Sequence, residues 1–184
     1  MIGNDIIDLS LAETESNWQR KGFLEKQFTT EEQSIILEAD NSFEMVWLLW
    51  SMKESAYKIY TQLNEERFFA PKKSECKLTS SDEGIVCFED QKFHTSSILD
   101  GSYIFTLASL DENVKCYSSI GPPYGIDESI KKKLEEETGI SSSEIEQKKS
   151  KNGIPKYYHK SKLLTQSCSI SHHGNYGAFS LLLT

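Results

Sequence analysis

Residues 43–62 constrain this chain more than any other stretch, because they carry its strongest helical pattern and place charges inside it. On a wheel at ~100° per residue, Phe43, Val46, Trp47, Trp50 and Tyr57 share one face. Glu54 falls near the middle of that face, Lys58 follows one turn later on the same side, and Lys53 stands at the opposite margin. An ionised carboxylate in an apolar setting costs several kcal/mol unless it has partners. Two compensations are open. One is an internal pair with Lys58 at i,i+4, the favourable orientation. The other is a hard cation held by Glu54, with Lys58 reaching the anionic groups that the cation also binds. Lys53, Lys58, Lys72 and Lys73 are more cations than one glutamate needs, and a second carboxylate, Asp5, is expected at the end of the first predicted strand. Magnesium commonly takes one or two protein carboxylates and completes its octahedron with water and phosphate oxygens. Asp5 and Glu54 suit that economy, although an aspartate in a Gly-Asn-Asp run is also an ordinary turn residue.

The remaining pattern predicts an α+β protein in which antiparallel sheet packs with a few helices. Residues 2–9 read as a first strand, and residues 11–27 as an amphipathic helix. Thr29 or Thr30 caps a helix over 31–39. Short apolar runs at 78, 85–88, 93–98, 103–109 and 114–120, separated by turn residues, read as an antiparallel meander. Pro122-Pro123 ends it. Residues 127–138 form a charged helix closed by Gly139. Further strands are expected at 145–149, 156–158, 168–171 and 177–183, with Asn152-Gly153 as a hairpin turn. The chain of 184 residues reads as a single domain over 1–184. Its subregions are a helix and metal region (1–75), a strand-rich insertion (76–121) and a tail region (122–184).

The net charge of -8 argues against non-specific nucleic-acid binding, which needs clustered Lys and Arg. It leaves room for an anionic small molecule, since a few cations in one pocket suffice. Cys76, Cys87, Cys116 and Cys168 are widely spread and form no C-x-x-C pair, so free thiols in a reducing cytoplasm are expected. The polar start Met1-Ile-Gly-Asn-Asp5 is not a signal peptide, and no apolar run is long enough to span a bilayer. The expected location is cytoplasmic, with no membrane partner.

Near the end, Ser169-Ile-Ser-His-His-Gly-Asn-Tyr176 lies between two apolar runs. Hydroxyl, imidazole and exposed N–H groups together suit a diphosphate. A histidine capping a strand turn explains the same residues. A Ser-His-Asp hydrolase is disfavoured, because there is no G-x-S-x-G elbow and neighbours Ser171 and His172 point to opposite strand faces.

These motifs, in this order, resemble the 4'-phosphopantetheinyl transferase superfamily. Gly3-Asn-Asp-Ile6 resembles its Gly-x-Asp-Ile signature, and Phe28-Thr-Thr-Glu-Glu32 its Phe-Thr-x-x-Glu segment. Trp50-Ser-Met-Lys-Glu-Ser-Ala-Tyr-Lys58 is similar to its Trp-x-x-Lys-Glu-x-x-x-Lys helix. Asn152-Gly-Ile-Pro155 is similar to its Asn-Gly-Lys-Pro turn, and the tail to its Ser-x-Ser-His. Ser-His standing last is the order of the holo-acyl-carrier-protein synthase branch.

The resemblance implies an enzyme in which Mg2+ on Asp5 and Glu54 holds the diphosphate of coenzyme A. A serine of an apo acyl or peptidyl carrier protein would attack the β-phosphate, and 3',5'-ADP would leave. It implies catalytic roles for Glu54, which helps deprotonate the serine directly or through a metal-bound water, and for Lys58, which neutralises phosphate charge. Coenzyme A would meet Lys58, Gly153, Pro155, Lys156, Ser171 and His172. Arg20, Lys21 and Lys26 are candidates to face the acidic carrier, and equally ordinary solvated residues.

The chain departs from the family pattern in several places. Ile154 replaces the turn lysine, Ile7 stands where a larger branch of the family, which duplicates the fold in one chain, has a third acid, and residues 63–71 replace the glycine-rich loop of the short synthases. The strand-rich stretch is longer than in the short synthases, which are trimers with sites between chains. Whether this site forms within one chain or in a homo-oligomer stays open. Two other readings compete: a coenzyme A- or carrier-binding module of the same fold without transfer, and a nucleotide-dependent phosphotransferase, for which no P-loop is present.

Overall fold

The computed structural model describes residues 1–64 and 70–184. Most of residues 63–71 therefore lie outside the described residues. The fold is α+β, as expected, with antiparallel pairing within each of its three sheets. Strand β1 (Ile2–Asp8) is buried along its whole length. It is followed by α1 (Leu9–Glu15), α2 (Phe23–Gln27), α3 (Thr30–Glu38) and α4 (Ser42–Asn64). The single helix expected over 11–27 is thus two short ones. Ser16 ends α1, and Gly22 in the left-handed region opens α2. Thr29 caps α3 in a reciprocal box: its Oγ accepts from Glu32 N–H (3.2 Å) and Glu32 Oε2 accepts from Thr29 N–H (2.8 Å).

Strands β2 (Glu75–Leu78), β3 (Glu83–Phe88), β4 (Gln91–Leu99) and β5 (Tyr103–Ser109) form the expected meander. Its last strand pairs with β1, giving the order β1-β5-β4-β3-β2. The next strand, β6 (Tyr117–Gly121), leaves the meander and joins a second sheet. After α5 (Ile126–Thr138), β7 (Ile145–Lys149), β8 (Pro155–His159) and β9 (Lys162–Leu163) make a small sheet. The Asn152-Gly153 turn joins β7 to β8 as predicted, and β9 is an addition. Strands β10 (Thr165–His173) and β11 (Tyr176–Leu183) complete the second sheet, in the order β10-β11-β6.

The five-stranded sheet and the β10-β11-β6 sheet share one connection pattern. In each, a first strand leads through helix to later strands, the last strand pairs back onto the first, and the penultimate strand lies beyond it. The chain thus contains a long half built on β1 and α4 and a shorter one built on β6 and α5. The halves meet through Ile6, Phe105 and Ala178. Among the described residues no helix is long and apolar enough to cross a membrane. The four cysteines are free; Cys76 and Cys168 are buried.

The buried stripe of α4 differs from the wheel. Val46, Leu48, Leu49, Met52, Ala56 and Ile59 are in the core, whereas Trp50, Glu54 and Tyr57 are half-buried at its flank. The helix packs against β1, β5 and α3 together. It is therefore enclosed on several sides, and a single apolar face does not describe it.

Candidate active site

Three segments converge around the middle of α4. The first is β1, which runs antiparallel to the helix. Gln62 Nε2 donates to Ile2 O (2.7 Å), Gly3 lies against Ser55 and Ile59, and Lys58 Nζ donates to Asn4 O (2.6 Å). Gly3 is required by this approach, since a Cβ there would collide with the Ser55 carbonyl oxygen. The closeness explains the spacing of the Gly-x-Asp run: glycine brings the strand onto the helix, and the aspartate two residues on faces the same helix. Asp5 is nearly buried, and Lys58 Nζ stands 3.5 Å from its Oδ1.

The second segment is β10, which lies parallel to β1 without backbone pairing. Side chains replace the ladder at a constant offset. Ile2 N–H donates to Ser167 Oγ (3.0 Å), Asn4 N–H to Ser169 Oγ (2.8 Å) and Asp8 N–H to His173 Nδ1 (2.9 Å). Ser169 Oγ also donates to Asn4 Oδ1 (2.7 Å), and Ser167 Oγ to Gln62 Oε1 (2.7 Å). The rung between them, Ser171 opposite Ile6, is open: Ser171 Oγ is buried and has no partner. The seam is pinned at its far end by Asp8. Its carboxylate caps α1 at Leu11 N–H and accepts from Asn175 N–H (2.9 Å). Gly174, at φ 56°, is pressed against it, where a Cβ would not fit. Burial pushes the Asp8 carboxyl upward, but hydrogen bonds from Asn175, Ser10 and Leu11 outweigh this and hold it below the usual carboxylate range.

The third segment is the Asn152-Gly153 turn. With α4 and β10 it encloses a cleft of about 310 Å³. Glu54, Lys58, Gly153 and Pro155 line it, together with Gln62 and Ile170. Burial first, and then the charge of Asp5, push the Glu54 carboxyl up to about 7, against the opposing pull of Lys58. Asp5 is raised as well, chiefly by burial, with Lys58 opposing.

Two like charges confined beside one lysine form an electrostatic deficit that a divalent cation would relieve. Asp5 Oδ2 is buried without a hydrogen-bond partner, so protein groups alone do not satisfy this carboxylate. Among the described residues no group of three His, Cys, Asp or Glu forms a closed cage. The donors present are thus two hard carboxylates, which suit Mg2+ with its remaining positions left to water and phosphate.

Glu54, Lys58, Gly153, Pro155 and residues 168–170 of β10 line one cleft, and Asp5 adjoins Lys58 and acts on the charge of Glu54. The structure does not bring all the predicted residues to one place. Lys156 follows Pro155 on β8 and His172 is exposed; neither lines the cleft. Arg20, Lys21 and Lys26 are exposed on and before α2. Lys53 is not a spare cation. It is fully buried and donates to Glu32 Oε2 (2.7 Å), Pro71 O (2.7 Å) and Ser74 O (2.5 Å). Glu32 also accepts from Cys76 N–H (2.7 Å), so the Phe-Thr-x-x-Glu segment and the lysine beside Glu54 form a structural clamp of α3, α4 and β2. Sequence reasoning missed Gln62 and Ser169. The signals were there: Gln62 lies one turn beyond Lys58, and Ser167, Ser169 and Ser171 alternate along one strand face.

A carboxylate pair with one lysine thus adjoins a cleft between two related halves, with the charges that a cation and an anionic ligand would meet. A family model for the 4'-phosphopantetheinyl transferase superfamily matches residues 1–108, and the chain belongs to that superfamily. The matched region holds β1, α4 and the five-stranded sheet up to, but not including, the last residue of β5. No curated protein matches the chain. Among solved structures it is similar to a holo-[acyl-carrier-protein] synthase (AcpS) of Thermotoga maritima, with 16% sequence identity, coverage of 88% of this chain and 83% of that one, and a TM-score of 0.46.

Proposed function

We propose that this chain transfers the 4'-phosphopantetheine arm of coenzyme A to a serine of an apo carrier protein, releasing 3',5'-ADP. The observation that carries the reading is the Asp5–Glu54–Lys58 cluster, of which Glu54 and Lys58 line one cleft, within a chain of this superfamily. Coenzyme A occupies the cleft against the Gly153–Pro155 turn and β10. Asp5 and Glu54 hold Mg2+, which supplies charge neutralisation on the diphosphate. Lys58, held by Asn4 O and Ile170 O, keeps an ammonium beside those oxygens with little reorganisation. The carrier serine's Oγ bonds to the β-phosphorus. The bond from that phosphorus to the bridging oxygen breaks, and 3',5'-ADP departs with the electron pair. Glu54 accepts the serine proton; its place at the cleft makes it the nearest carboxylate to an incoming hydroxyl. Lys156, Ser171 and His172 contact coenzyme A beyond the reacting phosphate, and exposed Arg20, Lys21 and Lys26 meet the acidic carrier. The setting is cytoplasmic, where coenzyme A and carriers for fatty acid or polyketide synthesis are found.

The test is incubation of a panel of apo carrier proteins with coenzyme A and Mg2+, read by intact mass spectrometry. The expected result is one phosphopantetheine added to at least one carrier. No mass gain on any carrier, with coenzyme A still bound by the chain, would establish a binding module instead.

A further inference from the structure

Ser51 stands inside the Trp50–Lys58 motif but has no part in the chemistry above. It is fully buried in the interior of α4, and its Oγ has no hydrogen-bond partner. A serine within a helix ordinarily returns its hydroxyl to the carbonyl one turn back, and a buried hydroxyl left unpaired costs about 1–3 kcal/mol. An alanine would avoid that cost and is the better helix former. Such a group calls for an explanation, and an absent ion or water is among the ordinary ones.

The geometry shows what the hydroxyl faces. Because α4 runs antiparallel to β1, successive helical turns meet successive strand residues: Gln62 at Ile2, then Lys58 at Asn4 and Asp5. One turn before Ser55, whose Oγ donates to Thr106 O (3.0 Å), comes Ser51. Gly3 lies against the Ser55 carbonyl, and Asp5 is two residues further along β1, about one helical turn towards Ser51. Ser51 therefore stands at the level of the Asp5 carboxyl, near enough for a polar contact but outside ordinary hydrogen-bond geometry. Two buried oxygens without hydrogen-bond partners, Asp5 Oδ2 and Ser51 Oγ, thus stand together at the edge of the carboxylate pair.

We propose that Ser51 is a positioning residue for the cation site, its hydroxyl donating to Asp5 when a divalent metal draws the other carboxylate oxygen. This rests on the two-carboxylate reading of Asp5 and Glu54. Partners of this kind orient a metal ligand, and their loss typically weakens metal affinity 10–100-fold.

The test needs neither coenzyme A nor carrier. Mn2+ is titrated into the full chain and into Ser51→Ala, with free Mn2+ read by electron paramagnetic resonance, and each metal-free protein is melted in parallel. The expected result is a Kd for Mn2+ raised about tenfold or more in Ser51→Ala, with a metal-free Tm equal to or above that of the parent. Equal Mn2+ affinity would overturn the role of Ser51 and leave the carboxylate site standing. A lower metal-free Tm would also overturn it, because the hydroxyl would then be structural. Failure of the parent chain to bind Mn2+ would overturn the carboxylate site itself, and Ser51's role with it.

Discussion

At the scale of the residue, Glu54 decides most. Folded, its carboxyl keeps a proton up to about 7, against an ordinary value near 4.5. Between those pH values the native state binds more protons than the unfolded chain, so stability falls as pH rises through that window. The contribution is no more than about 3 kcal/mol. Without divalent metal, Glu54→Gln is therefore expected to be more stable than the parent at pH 8 and about equal at pH 4.5. Urea unfolding at the two pH values checks this; a variant less stable at pH 8 would contradict it. A divalent metal reverses the logic. It favours the charged carboxylates, so its binding expels protons, and stabilisation by Mg2+ is expected to be larger at pH 8 than at pH 5.5. Thermal melts with and without Mg2+ read this directly, and a larger shift at the lower pH would count against the site.

At the scale of the element, α4 is held from two sides by different means. Gly3 lets β1 approach it, and Gly3→Ala is expected to destabilise by about 1–3 kcal/mol or more, since backbone must move to admit the Cβ. Lys53 clamps the other side. Lys53→Met is expected to cost about 3–5 kcal/mol, because Glu32 would remain buried without its counter-ion. Chemical denaturation measures both, and a loss below about 1 kcal/mol for Lys53→Met would show the clamp to be dispensable. These elements also show what the sequence revealed and what it hid. The Thr29 cap, the meander as far as residue 109, the Asn152-Gly153 turn and the charged helix over 126–138 were legible, because each depends on neighbours within a few residues; the run over 114–120 joins the other sheet. The face of α4 was not. Three different elements cover it, so its burial follows tertiary enclosure rather than a 3.6-residue period. Lys53 read in sequence as a further cation for the site; the distant carboxylate of Glu32 and the carbonyls of Pro71 and Ser74 assign it to structure. The break at Gly22 was visible as residue type but not as geometry.

At the scale of the whole molecule, the seam between β1 and β10 is the informative feature. It was only partly legible. The alternating serines announced a polar strand face, but a parallel pairing between residues 165 positions apart leaves no local trace. The seam brings Ile170 O to Lys58 and Ser171 opposite Ile6 within one chain. On this account the tail completes the site without a second copy. Specific activity per chain is expected to stay constant as enzyme is diluted, with sedimentation showing monomer; activity that falls on dilution together with dissociation would place the site between chains.

The central claim is that Glu54 serves transfer rather than folding. It is tested most directly by mass spectrometry of one carrier that the parent chain modifies, treated in parallel with parent and Glu54→Gln in coenzyme A and Mg2+. The account predicts complete phosphopantetheine addition by the parent and at least a hundredfold slower addition by the variant, with both proteins equally folded by circular dichroism. Addition at the parental rate by Glu54→Gln would contradict it.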